Sequence, residues 1–306
     1  MEEFDKIIEN TNAKFMAKDD LIGRHKYNSL KIKELSGKIP LTKKEKLQIE
    51  TYENKGIKPL TEDQLKPITD YYKKVSSPKP KNEYYFKPKE LLDIFMAEYK
   101  KYVLKRGCEL IINDNVKSNI LPLIYYFTND TRFFKCSNVH GEEFIYNGKA
   151  KQSIPSFKKG ILIIGNYGNG KTSSMKIFQQ IFSRLDNLKF RSYPANEIID
   201  LYECVSTSQE KANFWYLMKK DVIHFGDVKT ERIANNYGSV NIFKDIIEKR
   251  EERDLKTYMD CNFRETKPGD LKDALLEFGQ LYGSRVFDRV FKMFNVIEFK
   301  GSSFRK

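Results

Sequence analysis

Lys159-Gly-Ile-Leu-Ile-Ile-Gly165-Asn-Tyr-Gly-Asn-Gly170-Lys171-Thr172-Ser173 decides how the rest of this 306-residue chain is read. Ile161–Ile164 has the length and β-branching of a buried strand, and the amphipathic pattern from Met175 to Phe182 predicts a helix after it. Between them, Gly165 to Thr172 is a full match to G-x-x-x-x-G-K-[ST]. Gly165, Gly168 and Gly170 let the chain curl until successive backbone N–H groups point at an anion. Asn166, Tyr167 and Asn169 complete that cradle, and Ser173 joins it from the first helical turn. A helix beginning near Lys171 turns its positive end toward the same anion. Lys171 can then reach the β- and γ-phosphates of a nucleotide, and the Thr172 hydroxyl can ligate Mg²⁺. The pattern predicts a nucleotide bound together with Mg²⁺.

Outward from the loop, short apolar runs alternate with amphipathic helices. The strand candidates are Ile161–Ile164, Leu188–Tyr193, Val222–Phe225, Lys256–Cys261 and Val296–Phe299. Helical patterns run from Val240 to Arg253 and through Val286, Phe287, Val290, Phe291 and Phe294. Such alternation predicts an α/β fold, a doubly wound parallel sheet covered on both faces. Upstream, Pro88 opens an aromatic-rich helix that reaches Gly107, and Val116–Phe127 reads as another, interrupted near Pro122. Residues 1–75 read as short helical pieces with few apolar residues. Thr42 with Glu45 has the form of a capping box, and Thr61-Glu-Asp-Gln-Leu-Lys repeats the Thr-then-acid arrangement. The expected organisation is a helical partner-binding module over 1–75, a Pro-containing linker over 76–82, a helical lead-in over 83–155 and the P-loop domain over 156–306.

Composition narrows the classes. No apolar run approaches the roughly 18–20 residues of a membrane span, and the acidic, mixed start lacks the basic and apolar regions of a secretory leader. A cytoplasmic protein is expected. The four cysteines are far apart and never form C-x-x-C, and Cys136-x-x-x-His140 offers only two ligands, too few for zinc. The net charge of +13 is spread along the chain without a basic tail, which is compatible with a polyanionic partner.

The second half resembles the DnaC/IstB-type AAA+ ATPases, the helicase loaders and transposition helpers. The resemblance runs from the loop through Asp227-Val-Lys-Thr-Glu231, Asn236-Tyr-Gly and the helix ending Lys249-Arg250. It continues through Leu255-Lys-Thr-Tyr-Met-Asp-Cys-Asn262 to Tyr282-Gly-Ser-Arg285-Val-Phe-Asp-Arg289 and the closing Asn295–Phe299. It covers about residues 155–300. Seven residues follow Phe299, so no helical lid is expected there, an end the family shares.

The resemblance implies roles for single residues. Asn262 is the sensor that orients water or contacts the γ-phosphate. Arg285 is the arginine finger given to a neighbouring subunit, which requires head-to-tail homo-oligomers. Arg285, Arg289 and Lys292 share one helical face. The family ends its second acidic strand in two carboxylates, and here Val222-Ile-His-Phe-Gly226-Asp227 has Gly226 at the first position. Asp227 is left to ligate the metal beside Thr172 or to act as the catalytic base, and one carboxylate hardly does both well. Loss of such a group commonly costs orders of magnitude in rate while phosphate binding survives.

By resemblance, the chain is expected to bind ATP-Mg and single-stranded DNA, to hydrolyse ATP weakly or on DNA stimulation, and to deliver a replicative helicase. Two alternatives keep the same core: a transposition helper assembling on duplex DNA with a transposase, or an ATP-gated adaptor that hardly hydrolyses. Asn213-Phe-Trp-Tyr216 beside Lys219-Lys220 can stack on bases, although Phe214 and Trp215 suit a helix packed against the sheet.

Overall fold

Local rules already set the first helices. The computed structural model describes residues 22–37, 40–54, 81–108, 112–141, 143–146, 149–236 and 238–303, and the chain divides into two units, Met1–Pro80 and Lys81–Lys306. In the first unit, helix α1 (Arg24–Ser36) ends at Gly37 with φ +60°, and α2 (Lys43–Glu53) begins at Thr42 with the expected capping box. The Thr42 hydroxyl accepts from Glu45 N, and the Glu45 carboxylate accepts from Thr42 N at 2.8 Å. Tyr27, Leu30, Ile49 and Tyr52 form the small core, with the two tyrosine rings stacked at 4.3 Å. The Thr61 motif and positions 76–80 of the expected linker lie outside the described residues.

The second unit opens with α3 (Pro88–Lys105) and α4 (Asp114–Phe127). Pro122 does not interrupt α4, contrary to expectation. Proline lacks the N–H that would bond the carbonyl four residues back, and Asn138 Nδ2 donates to that Ser118 carbonyl instead at 3.1 Å. A two-residue strand β1 (Val139–His140) and a hairpin of β2 (Glu143–Tyr146) and β3 (Lys149–Gln152) follow.

Strand β4 (Gly160–Gly165) is buried at every position and leads into α5 (Lys171–Phe182). The chain continues through β5 (Arg191–Pro194), α6 (Ala195–Glu203), α7 (Ser208–Met218) and β6 (Ile223–Val228). A small hairpin, β7 (Ala234–Asn235) with β8 (Ser239–Val240), precedes α8 (Ile242–Glu251) and β9 (Thr257–Asn262). Helices α9 (Leu271–Tyr282) and α10 (Ser284–Met293) then deliver β10 (Phe294–Phe299).

The sheet order is β1-β10-β4-β9-β6-β5, parallel except for β1 at the edge. Burial on both faces is why these strands read as near-continuous apolar runs. Ile161, Ile163, Tyr258 and Ile297 face α3, α4 and α5, while Leu162, Ile164, Met259 and Val296 face the helices from α6 to α10. Strand β5 starts later than Leu188, because Leu188 N and Lys189 N both bond the Leu185 carbonyl and close a turn. Helix α8 starts after Val240, which pairs in the hairpin, and the Asn241 side chain caps it at Lys244 N.

Candidate functional site

The loop between β4 and α5 lies at the carboxyl edge of the parallel strands, with β10 and β9 on either side of β4. In open α/β sheets ligands bind at that edge, where neighbouring connections part to opposite faces. Gly168 (φ +72°) and Gly170 (φ +90°) adopt left-handed backbone, a conformation that favours glycine at both turns of the loop. Gly165 is needed for a different reason: a Cβ there would lie 2.6 Å from the Phe299 carbonyl oxygen. Asn169 Nδ2 donates to that same oxygen at 2.8 Å, so the closing strand and the loop are tied together. Asn166 Nδ2 reaches the Gly301 carbonyl, Tyr167 is half-exposed with its hydroxyl on Glu265, and Ser173 sits partly buried in the first turn of α5. The N–H groups of the first turn of α5 have no partner within the helix, which makes its N-terminus an anion site.

Lys171 is buried, and its ammonium is shared among loop acceptors. Nζ donates to the carbonyls of Gly165 (3.0 Å) and Asn166 (2.7 Å), to Asn169 Oδ1 (3.3 Å) and to Asn262 Oδ1 (2.8 Å). Asn262 ends β9 and is buried, so the fold brings two residues 91 positions apart into one hydrogen bond.

Thr172 meets a residue that the sequence analysis does not single out. Its hydroxyl donates to Asp260 Oδ1 at 2.9 Å, and the Asp260 side chain is wholly buried on β9. The ladder between β6 and β9 passes from Phe225↔Met259 to Val228↔Cys261, so Gly226 and Asp227 bulge opposite Asp260. The bulge frees Asp227 N–H, which donates to Asp260 Oδ1 at 3.1 Å. His224 Nε2 bonds Asp260 Oδ2 at 2.9 Å, and Ser192 Oγ bonds His224 Nδ1 at 2.8 Å. Burial opposes ionisation of Asp260, but the bonds from His224, Asp227 N–H and Thr172 outweigh it and hold the carboxyl below its ordinary value. A Cβ at Gly226 would lie 3.1 Å from Thr172 Cγ2 and 3.4 Å from Asp260 Oδ2. The position that lacks an acid therefore faces both. The available signal for Asp260 was a charged residue inside an otherwise apolar strand, which burial makes costly unless it is bonded.

Asp227 itself is exposed and takes φ +55°, left-handed backbone uncommon for a residue with a side chain. Arg285 is exposed at the start of α10 and makes no ion pair among the described residues. The other two members of its stripe are engaged within the chain. Arg289 pairs with Glu248 and Glu251 of α8 at 3.5 and 3.1 Å, and Lys292 pairs with Glu251 at 2.6 Å. Tyr282, just before α10, meets Lys229 after β6, and Phe291 near its end meets Lys159 before β4, so α10 runs from the carboxyl edge and Arg285 starts on the loop's side of the sheet. Phe214 is buried against Tyr202 and Trp215 packs on the same core, which leaves Tyr216 exposed with Lys220 Nζ 5.5 Å from its ring centroid. His140 bonds Glu298 at 3.1 Å, and the Cys136 thiol reaches the Arg132 carbonyl.

Hard oxygen donors from Thr172 and Asp260, side by side next to a helix N-terminus, fit Mg²⁺ held jointly with phosphate oxygens.

No protein-family model and no curated protein matches the chain. Among solved structures it is similar to the crystal structure of the DnaC helicase loader, with 16% identity and a TM-score of 0.36 over 47% of this chain and 79% of that one. It is also similar to the crystal structure of DnaI, with 17% identity and a TM-score of 0.39 over 70% of this chain and 93% of that one. Neither overlap is close enough to transfer a site.

Proposed function

We propose that the second unit is an AAA+-type ATPase that binds ATP with Mg²⁺ in the loop from Gly165 to Ser173 and works as a helicase loader does, on single-stranded DNA and a replicative helicase. The observation that carries the nucleotide reading is the junction of β4 and α5, where Lys171, Thr172 and Asn262 converge on a helix N-terminus. The loop's N–H groups hold phosphate oxygens, and Lys171 exchanges its loop carbonyls for the β- and γ-phosphates. Thr172 would hold Mg²⁺, which would supply positive charge against the phosphates. Asn262 senses the γ-phosphate through the bond it already makes to Lys171. Asp227, exposed at the bulge, is the candidate to polarise the attacking water. Arg285, at the carboxyl edge and outside any ion pair among the described residues, is available to a neighbouring subunit's γ-phosphate, which supports a head-to-tail assembly. The first unit is the candidate grip on the helicase.

The missing acid at Gly226 supports a second reading, an ATP-gated adaptor that binds nucleotide and turns it over very slowly. Steady-state ATP turnover with Mg²⁺, with and without single-stranded DNA, separates the two. The loader reading expects turnover that rises with DNA, vanishes in Lys171→Ala and in Arg285→Ala, and returns when those two variants are mixed. DNA-independent activity equal to that of Lys171→Ala, in a protein that still binds ATP, contradicts it and leaves the adaptor.

A further inference from the structure

The carboxylate missing from β6 is supplied in space by the next strand. Gly226 leaves room under Thr172, and the Asp260 carboxylate fills that room from β9, 2.9 Å from the Thr172 hydroxyl. We propose that Asp260 is the acid on the magnesium side of the nucleotide site, in place of the one that Gly226 lacks. This rests on the loop being a nucleotide site.

Three features carry the assignment. The side chains of His224 and Asp260 project from neighbouring strands toward α5, the face on which Thr172 lies, and a side chain at 226 would meet both Thr172 and Asp260. The backbone of Gly226–Asp227 bulges, so that Asp227 N–H is turned onto Asp260 Oδ1 rather than into the ladder. The carboxylate is also fixed before any metal arrives: His224 holds Oδ2, and Oδ1 is shared by Thr172 and Asp227 N–H. Mg²⁺ sites built around phosphates use one or two protein oxygens and keep several waters. A fixed carboxylate beside the loop threonine is such a donor, bound directly or through a water. Asp227, exposed at the bulge, is then left to act on water, and the two functions are no longer asked of one carboxylate.

The test uses the full chain and two readouts that do not need turnover. In the first, ADP binding is measured by calorimetry with Mg²⁺ and with EDTA. Wild type is expected to bind ADP at least about tenfold more tightly with Mg²⁺. Asp260→Asn is expected to keep the metal-free affinity and lose that step, and Gly226→Asp with Asp260→Ser to regain it. In the second, the protein carries aspartate labelled with ¹³C in its side-chain carboxyl, and Mn²⁺-ADP is bound as the spin probe. A ¹³C coupling to Mn²⁺ that persists in Asp227→Asn supports Asp260 even where Asp260→Asn does not fold. The proposal is overturned if Asp260→Asn keeps the wild-type response to Mg²⁺, or if the coupling disappears in Asp227→Asn. In both of those cases loss of ADP binding in Lys171→Ala still upholds the nucleotide site. Wild type that binds no ADP overturns the site and this assignment together.

Discussion

Lys171 and Asn262 are joined by a 2.8 Å hydrogen bond between the ammonium and Oδ1, although one begins α5 and the other ends β9. The bond exists because β9 pairs in parallel with β4, with Asn262 opposite Gly165 at the foot of the loop. A group that touches the loop lysine can register whether that lysine is holding phosphate. Asn262→Ala leaves Lys171 its carbonyl partners, so nucleotide binding is expected to change by less than about fivefold. Turnover is expected to fall by at least about tenfold, as for other single polar groups that act on developing charge. A steady-state titration with ATP reads both, and a tenfold rise in KM with unchanged kcat would give Asn262 a binding role instead.

Restoring the missing acid alone is predicted to fail. A Cβ at 226 sits 3.4 Å from Asp260 Oδ2 and 3.1 Å from Thr172 Cγ2, so Gly226→Asp sets two carboxylates against each other in a buried space. Gly226→Asp is expected to lose about 1–3 kcal/mol of stability and to gain no turnover. Urea melts and ATPase rates on the single variant check this, and a single variant faster than wild type would show that 226 is simply an empty seat.

Arg250 is wholly buried and makes no ion pair among the described residues. Its guanidinium donates to Thr257 Oγ1, Met218 O, Asp221 O and Lys256 O at 2.6–2.9 Å, and burial pushes its pKa down to about 10. One side chain thereby pins the end of α7, the start of β6 and the start of β9. Arg250→Met leaves those acceptors buried and unmet, and is expected to cost about 3 kcal/mol or more. A shift in the urea midpoint at constant slope measures it.

Glu231 gives a pH signature. It accepts from the Tyr282 hydroxyl, while Oε2 is buried without a hydrogen-bond partner among the described residues. Burial raises its carboxyl above the ordinary value, outweighing the Tyr282 bond, the backbone N–H groups of Glu231 and Lys229 and the Lys229 charge, all of which lower it. A carboxyl raised on folding gives stability that is fully present below the unfolded-state value and lost as pH rises through the folded one. Glu231→Gln is therefore expected to melt higher than wild type at pH 8, with no such gain at pH 4. Thermal melts at the two pH values decide, and a gain at pH 4 alone would reverse the sign.

The parts of the fold that local chemistry controls could be read from the sequence. Ile161–Ile164 between turn residues announces a buried strand, and the glycines after it announce the loop. What depends on a distant partner could not. Pro122 reads as an interruption because Asn138, 16 residues on, is what meets the stranded Ser118 carbonyl. That Arg289 and Lys292 share a helical face with Arg285 is visible in the sequence, but not that they are paired, because their carboxylates sit on α8. Asp260 is one residue in an apolar strand until the register Ile163↔Asp260 sets it beside the loop helix.

Calorimetric titration of ATP with Mg²⁺ into the wild-type chain and into Lys171→Ala tests whether the loop from Gly165 to Ser173 is a nucleotide site. Wild type is expected to bind saturably at about one ATP per chain and Lys171→Ala at least about a hundredfold more weakly, since a charge-assisted contact to phosphate is worth several kcal/mol. Equal binding by the two proteins, or none by wild type folded as judged by its melt, would contradict it.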